Sequence, residues 1–257
     1  MNTAQKLLFL GILFFLKPSL GSSQTRDKYL FSNKIFNLQF LYNYHRLGGD
    51  YAKTFGDYSS VGFGGMLKTK NNWVLSGEGN FLFGSDIRAT SILDQLVTSG
   101  GYISSASGNP GNYKVNMRGL SFYLQGGRVF AWNKKNMNSG ILLKGGIGFL
   151  QHKIGINLNE KNIPQLDENY AKGYDRLSNG VSFNQFIGYN HQSVNRLINF
   201  YAGIEFMQAQ TFNRRGFNYD EMKLDNGVKL DQSISFRFGW MIPIYMNTKD
   251  ENEFQFK

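Results

Sequence analysis

"INFYAGIEF", residues 198–206, carries a glutamate inside an apolar, aromatic-rich run, where an unpaired carboxylate is expensive to bury. Read in steps of two, Ile198, Phe200, Ala202, Ile204 and Phe206 share one face, and Asn199, Tyr201, Gly203 and Glu205 share the other. That is the period of a β-strand. Glu205 therefore points away from the apolar face, and the fold turns on what that second face meets.

The pattern recurs along the chain. Phe36, Leu38, Phe40, Tyr42 and Tyr44 alternate with Asn37, Gln39 and Asn43, and residues 61–68, 73–83, 120–132, 141–152, 181–189 and 233–245 read the same way. With 198–208 this makes about eight strands. The fourth requires a shift of phase near Arg128, as a bulge would give, and the sixth reads ambiguously between its faces. Short links near "KNN", "NKKNMN" and "HQSVN" alternate strictly with long ones spanning about 45–60, 84–119, 153–180 and 211–231. Strands joined by short turns at one end and long loops at the other are the layout of an outer-membrane barrel. Trp73, Trp132 and Trp240 then fall at one rim, as an aromatic belt does. The expected fold is all-β: a closed antiparallel transmembrane barrel with long extracellular loops and periplasmic termini.

The N-terminus agrees with export. Lys6 precedes an apolar run from Leu7 to Leu16, followed by Ser19, Gly21 and Ser23, the layout of a secretory signal peptide. The expectation is a signal over 1–23, cleaved after Gly21 or Ser23, and one barrel domain over 24–257 that ends in a short periplasmic tail. That tail, "MNTKDENEFQFK", extends past Tyr245 and carries Phe254 and Phe256. The apolar run is too short for a membrane helix, and no later uncharged stretch supplies one. The chain has 257 residues and no cysteine, which excludes disulfides, thiolate metal sites and a lipidation cysteine. Aromatic residues make up 16% of it, and 30 glycines stand against 4 prolines, a mixture that suits strands and turns.

Parity also sorts the charges. It sends Glu78, Lys144, Glu205 and Arg237 inward, between lipid-facing neighbours such as Phe236 and Phe238. An eight-stranded barrel is only wide enough to be filled by side chains, so these ions are expected to pair, Glu205 with Arg237 on the next strand. The interior reads as a plug.

A search for chemistry finds little. His45, His152 and His191 are dispersed; "QHKIG" brings no serine to strand spacing, and rim solvation is the simpler account of His45 and His152. There is no metal-ligand cluster, nucleophile elbow or phosphate loop, so no catalytic, cofactor or metal site is expected. The net charge of +10 suits an anionic partner, but an exported chain does not meet nucleic acid. Lys153, Lys172, Arg176, Arg214 and Arg215 are expected above the outer rim, facing lipid headgroups, including those of lipopolysaccharide, or a partner protein. Apolar loop residues Ile92, Leu93, Leu96, Val97, Tyr102 and Ile103 suggest a docking surface.

At "GGIGFLQHKIGI" (145–156), "YAKGYDRLSNG" (170–180), "QFIGY" (185–189), "INFYAGIEF" and "GWMIPIY" (239–245) the chain resembles a family of small outer-membrane barrels from Bacteroidota. The resemblance covers most of the second half and brings no catalytic residues. It implies an accessory subunit of an envelope machine, either the barrel-assembly machinery or the type IX secretion apparatus. The expected function is thus a non-enzymatic scaffold in a multiprotein complex. A lipid-modifying enzyme is the alternative, and a small-solute pore comes third.

Overall fold

A computed structural model describes residues 32–133, 136–159, 163–193 and 198–246. The signal segment and the tail beyond Met246 lie outside the described residues. Eight long strands carry the fold: β1 (Ile35–Gly49), β2 (Tyr58–Lys68), β3 (Trp73–Gly84), β4 (Tyr113–Phe130), β5 (Gly140–Leu158), β6 (Ser178–Gln192), β7 (Asn199–Asn213) and β8 (Val228–Tyr245). Each pairs antiparallel with its sequence neighbours, and β1 pairs β8 from Ile35↔Tyr245 to Gly49↔Asp231. The ring is closed, so no strand edge is left with unpaired backbone groups.

Alternation fixes which side faces out. On β1 every second residue from Ile35 to His45 is buried, while Leu38, Phe40, Tyr42 and Tyr44 are exposed. Exposed Phe63, Leu75, Phe122, Leu124, Ile147, Ile187, Ile204, Phe236 and their neighbours continue this apolar band around the barrel. Water does not tolerate a continuous apolar band of this size, but lipid does. On β4 the band runs between Arg118 and Arg128, a length of tilted strand that climbs about 25 Å, the hydrophobic height of such barrels. Among the described residues no helix is long and apolar enough to cross a membrane; the crossing is made by strands. Trp73, Trp132 and Trp240 are exposed toward the short-turn end.

Two expected irregularities resolve. β4 has no shift of phase: its registers with β3 and β5 run unbroken through Arg128, which points outward with its guanidinium 5.4 Å from the Trp73 ring and 5.7 Å from that of Phe130. A cation on the lipid face is tolerated there because it lies near the short-turn end of the band against aromatic faces. β6 reads ambiguously because Gln185 faces out while Phe186 is buried in the lumen.

Space inside is tight enough to need glycine. Gly239 faces Tyr201 on β7, and a methyl group at Gly239 would come within 2.4 Å of that ring. Gly148 stands in the same relation to Tyr123, also at 2.4 Å. Two tyrosine rings thus lie across bare backbone.

Candidate functional site

The lumen is filled in three layers. At mid-height Arg237 occupies the axis. Its Nη2 donates to Glu205 Oε1 at 2.9 Å, its Nη1 donates to Glu78 Oε2 at 2.9 Å and lies 2.7 Å from Oε1, and its Nε donates to Asn43 Oδ1 at 2.8 Å. Asn184 Nδ2 donates to the other Glu205 oxygen at 3.0 Å. Lys144 Nζ stands 3.9 Å from Glu78 and 4.8 Å from the centre of the Tyr201 ring. All four ions are buried. Two carboxylates balance two cations, which offsets the cost of removing each from water. The structure brings Glu78, Lys144, Glu205 and Arg237 together, with Arg237 bridging two strands that are not neighbours. The asparagines that complete the layer carry the inward parity but no other mark in the sequence.

Below, toward the short-turn end, Lys68 Nζ donates to Ser32 Oγ at 2.7 Å, Asn138 Oδ1 at 2.9 Å and the Asn33 carbonyl at 3.2 Å. Gln192 Nε2 reaches Asn37 Oδ1 across the lumen at 2.8 Å. Sequence reasoning did not single out Lys68, although its inward parity could have.

Above, the long links form a lid. A short helix (Tyr51–Thr54) drops Tyr51 and, with its following residue, Phe55 into the mouth; Ile87, Ile92, Leu93 and Ile103 join from the second long link and Ile163, Leu166 and Tyr174 from the third. They pack on Tyr58, Leu82, Met117, Tyr123, Leu150, Ile154 and Met207, the inward residues of the upper strands. This corrects the docking expectation. Ile92, Leu93 and Ile103 are buried and Leu96 and Val97 are packed against the same cluster, because an open barrel end offers apolar loop residues a nearer place to leave water than a partner does.

His45 and His152 are also buried and not solvated at a rim. His45 Nε2 lies 2.9 Å from Ser60 Oγ and its ring stacks on Tyr58. His152 Nε2 lies 2.9 Å from Asp231 Oδ2, which also accepts from Thr211 Oγ1 at 2.6 Å, and the ring packs on Tyr51 and Phe55. Both occupy inward positions, and the lid covers them. Beneath the lid, the cavity between His45, Tyr58, Tyr123, Glu205 and Arg237 holds only about 10 Å³ of free space, too little for anything beyond a single water. No group of three or more His, Cys, Asp or Glu that could hold a metal occurs among the described residues.

The five cations expected at the outer rim divide. Arg215 makes a bidentate pair with Asp175 at 2.9 and 2.7 Å, and Arg176 bonds Asp220 and Glu221. These two fasten the third long link to the fourth; their carboxylate partners are too far away in sequence to be foreseen. Arg214 bonds Asn179 Oδ1 at 2.5 Å and lies over Phe212. Lys153 and Lys172 are exposed.

The closed ring, its apolar outer band and its side-chain-filled interior define a transmembrane β-barrel of the outer-membrane class. No known family model and no curated protein matches the chain. Among solved structures it is similar to Neisserial surface protein A, at 10% identity and a TM-score of 0.44 over 80% of this chain and 96% of that one. Ail, the attachment invasion locus protein of Yersinia pestis, is similar at 11% identity and 0.40, over 81% and 99%. The outer membrane protein OprG from Pseudomonas aeruginosa is similar at 11% and 0.33, over 82% and 96%.

Proposed function

We propose that this chain is a non-enzymatic scaffold subunit of an outer-membrane protein complex, with its long-loop end outside the cell and its termini in the periplasm. The observation that carries the reading is the triple closure of the lumen by the lid, the ion quartet and the Lys68 network. A barrel so filled offers its outer wall and its rims for work, and the wall of a barrel in a membrane meets lipids and other envelope proteins. The resemblance of the second half to small Bacteroidota barrels favours the barrel-assembly machinery or the type IX secretion apparatus as the assembly. Gentle detergent extraction of a tagged copy, followed by mass spectrometry, tests this: a stoichiometric set of envelope proteins is expected, and recovery of the barrel alone under conditions that preserve other envelope assemblies overturns it.

A second reading, a lipid-modifying enzyme, draws on the His152–Asp231 pair. Against it, the pair faces the lumen beneath Tyr51 and Phe55, away from the acyl chains that such an enzyme must reach. His152→Ala is expected to leave the lipid profile unchanged; a changed profile would favour the enzyme.

A further inference from the structure

On the outer wall, one pair of facing cations does not find an acid among the described residues. The register sets Arg118 on β4 directly opposite Lys153 on β5, and both side chains are exposed. Like charges facing each other across a strand pair repel. Among the described residues Arg118 bonds only the amide oxygen of Asn157, at 3.2 Å, and no carboxylate pairs with Arg118, Lys153 or the exposed Lys114 two outward positions above. Lys53, Arg176, Arg215 and Lys229, by contrast, each have an acid.

The surroundings specify what would relieve that repulsion. Phe83 on β3 is the other cross-strand partner of Arg118, and the next outward residues toward the band are Phe81, Leu120 and, on β5, Gln151 followed by Phe149. On the β3 side of Arg118 lies an open groove of about 700 Å³ whose walls include Tyr44, Phe81, Phe83, Gly84 and Arg118 itself. At its far end Asp57 accepts from the Tyr44 hydroxyl at 3.1 Å. Two cations at the upper edge of an apolar band, beside an aromatic groove, match a molecule with an anionic head and an apolar tail. A phosphate suits them because it supplies enough oxygens for both cations at once.

We propose that this face of β3, β4 and β5 binds one phosphorylated lipid of the outer leaflet, its phosphate between Arg118 and Lys153 and an acyl chain along Phe83 and Phe81. The leaflet follows from the orientation in the proposed function; the binding itself is read on the purified barrel, and partner capture is a separate experiment, so either can fail alone. Lipid A and its dephosphorylated form, added to the barrel in non-ionic detergent, are the probes, and native mass spectrometry counts what is retained. Wild type is expected to retain the phosphorylated form about tenfold over the dephosphorylated one, the ratio that one to two charge-assisted bonds supply. The double variant R118Q/K153Q, which removes a repulsion and so keeps its fold, is expected to lose that preference, while K70Q in a turn at the opposite end keeps it. Equal retention of the two forms by wild type, or an unchanged preference in R118Q/K153Q, overturns the site. Displacement by inorganic phosphate alone overturns the assignment of a lipid tail to the groove.

Discussion

Arg237 donates to two carboxylates and an asparagine at once, and its neighbours share that economy: with Glu78 and Glu205 at −2 and Lys144 and Arg237 at +2, the buried layer sums to zero. Removing a single member leaves an uncompensated ion in a low-dielectric interior, at a cost of about 3–5 kcal/mol. Glu205→Leu leaves a surplus cation and Arg237→Leu a surplus carboxylate, whereas the double replacement keeps Glu78 facing Lys144. The expected order of stability is therefore wild type, then the double variant, then either single variant. It is measured by urea unfolding in detergent, followed by the mobility of the folded barrel on unheated gels. Wild-type stability in either single variant would contradict a paired layer.

At the scale of an element, the fourth long link (214–227) is held by ions and amides, where the other three put apolar residues into the lid. Asp225 is half-buried, which by itself raises its pKa, but the hydrogen bond from Lys229 and those from Asn213 and Asn218 more than offset this and hold it below the ordinary aspartate value. A carboxyl depressed by folding contributes stability that is complete above its unfolded pKa, near 3.9, and lost as pH falls through its folded value. Hydrogen exchange in 214–227 should thus lose protection on acidification below about pH 4. Asp175, Asp220 and Glu221 lie in the same seam, so the Asp225 share is read as the difference from Asp225→Asn, which is expected to be looser at neutral pH and to change less on acidification. Identical profiles for the two would exclude the role given to Asp225.

For the whole molecule, closure has a consequence for permeation. Three layers of side chains stack along the axis, so purified protein in planar bilayers should show no unitary conductance. Deleting lid residues 88–110 should leave it silent, because the ion quartet and the Lys68 network lie beneath. Steady single-channel steps from wild type would revive the pore reading and remove the main support for a scaffold. Discrete steps only after lid deletion would show that the mid-height layer does not seal.

Strand number, the alternation of long and short links, the outward band and the inward direction of Glu78, Lys144, Glu205 and Arg237 were legible in the sequence, because side-chain direction in a strand follows from a period of two and needs no partner. Which inward residues meet was not legible beyond Glu205 and Arg237, since Glu78 reaches Arg237 across the ring from a strand 159 residues away in sequence. Loops carry no such period. Whether Ile92 and Leu93 face a partner or a lid, whether Arg215 is exposed or tied to Asp175, and whether His152 is solvated or bonded to Asp231 depend on how four long links share one barrel mouth. Local alternation sets direction, and only closure of the ring sets company.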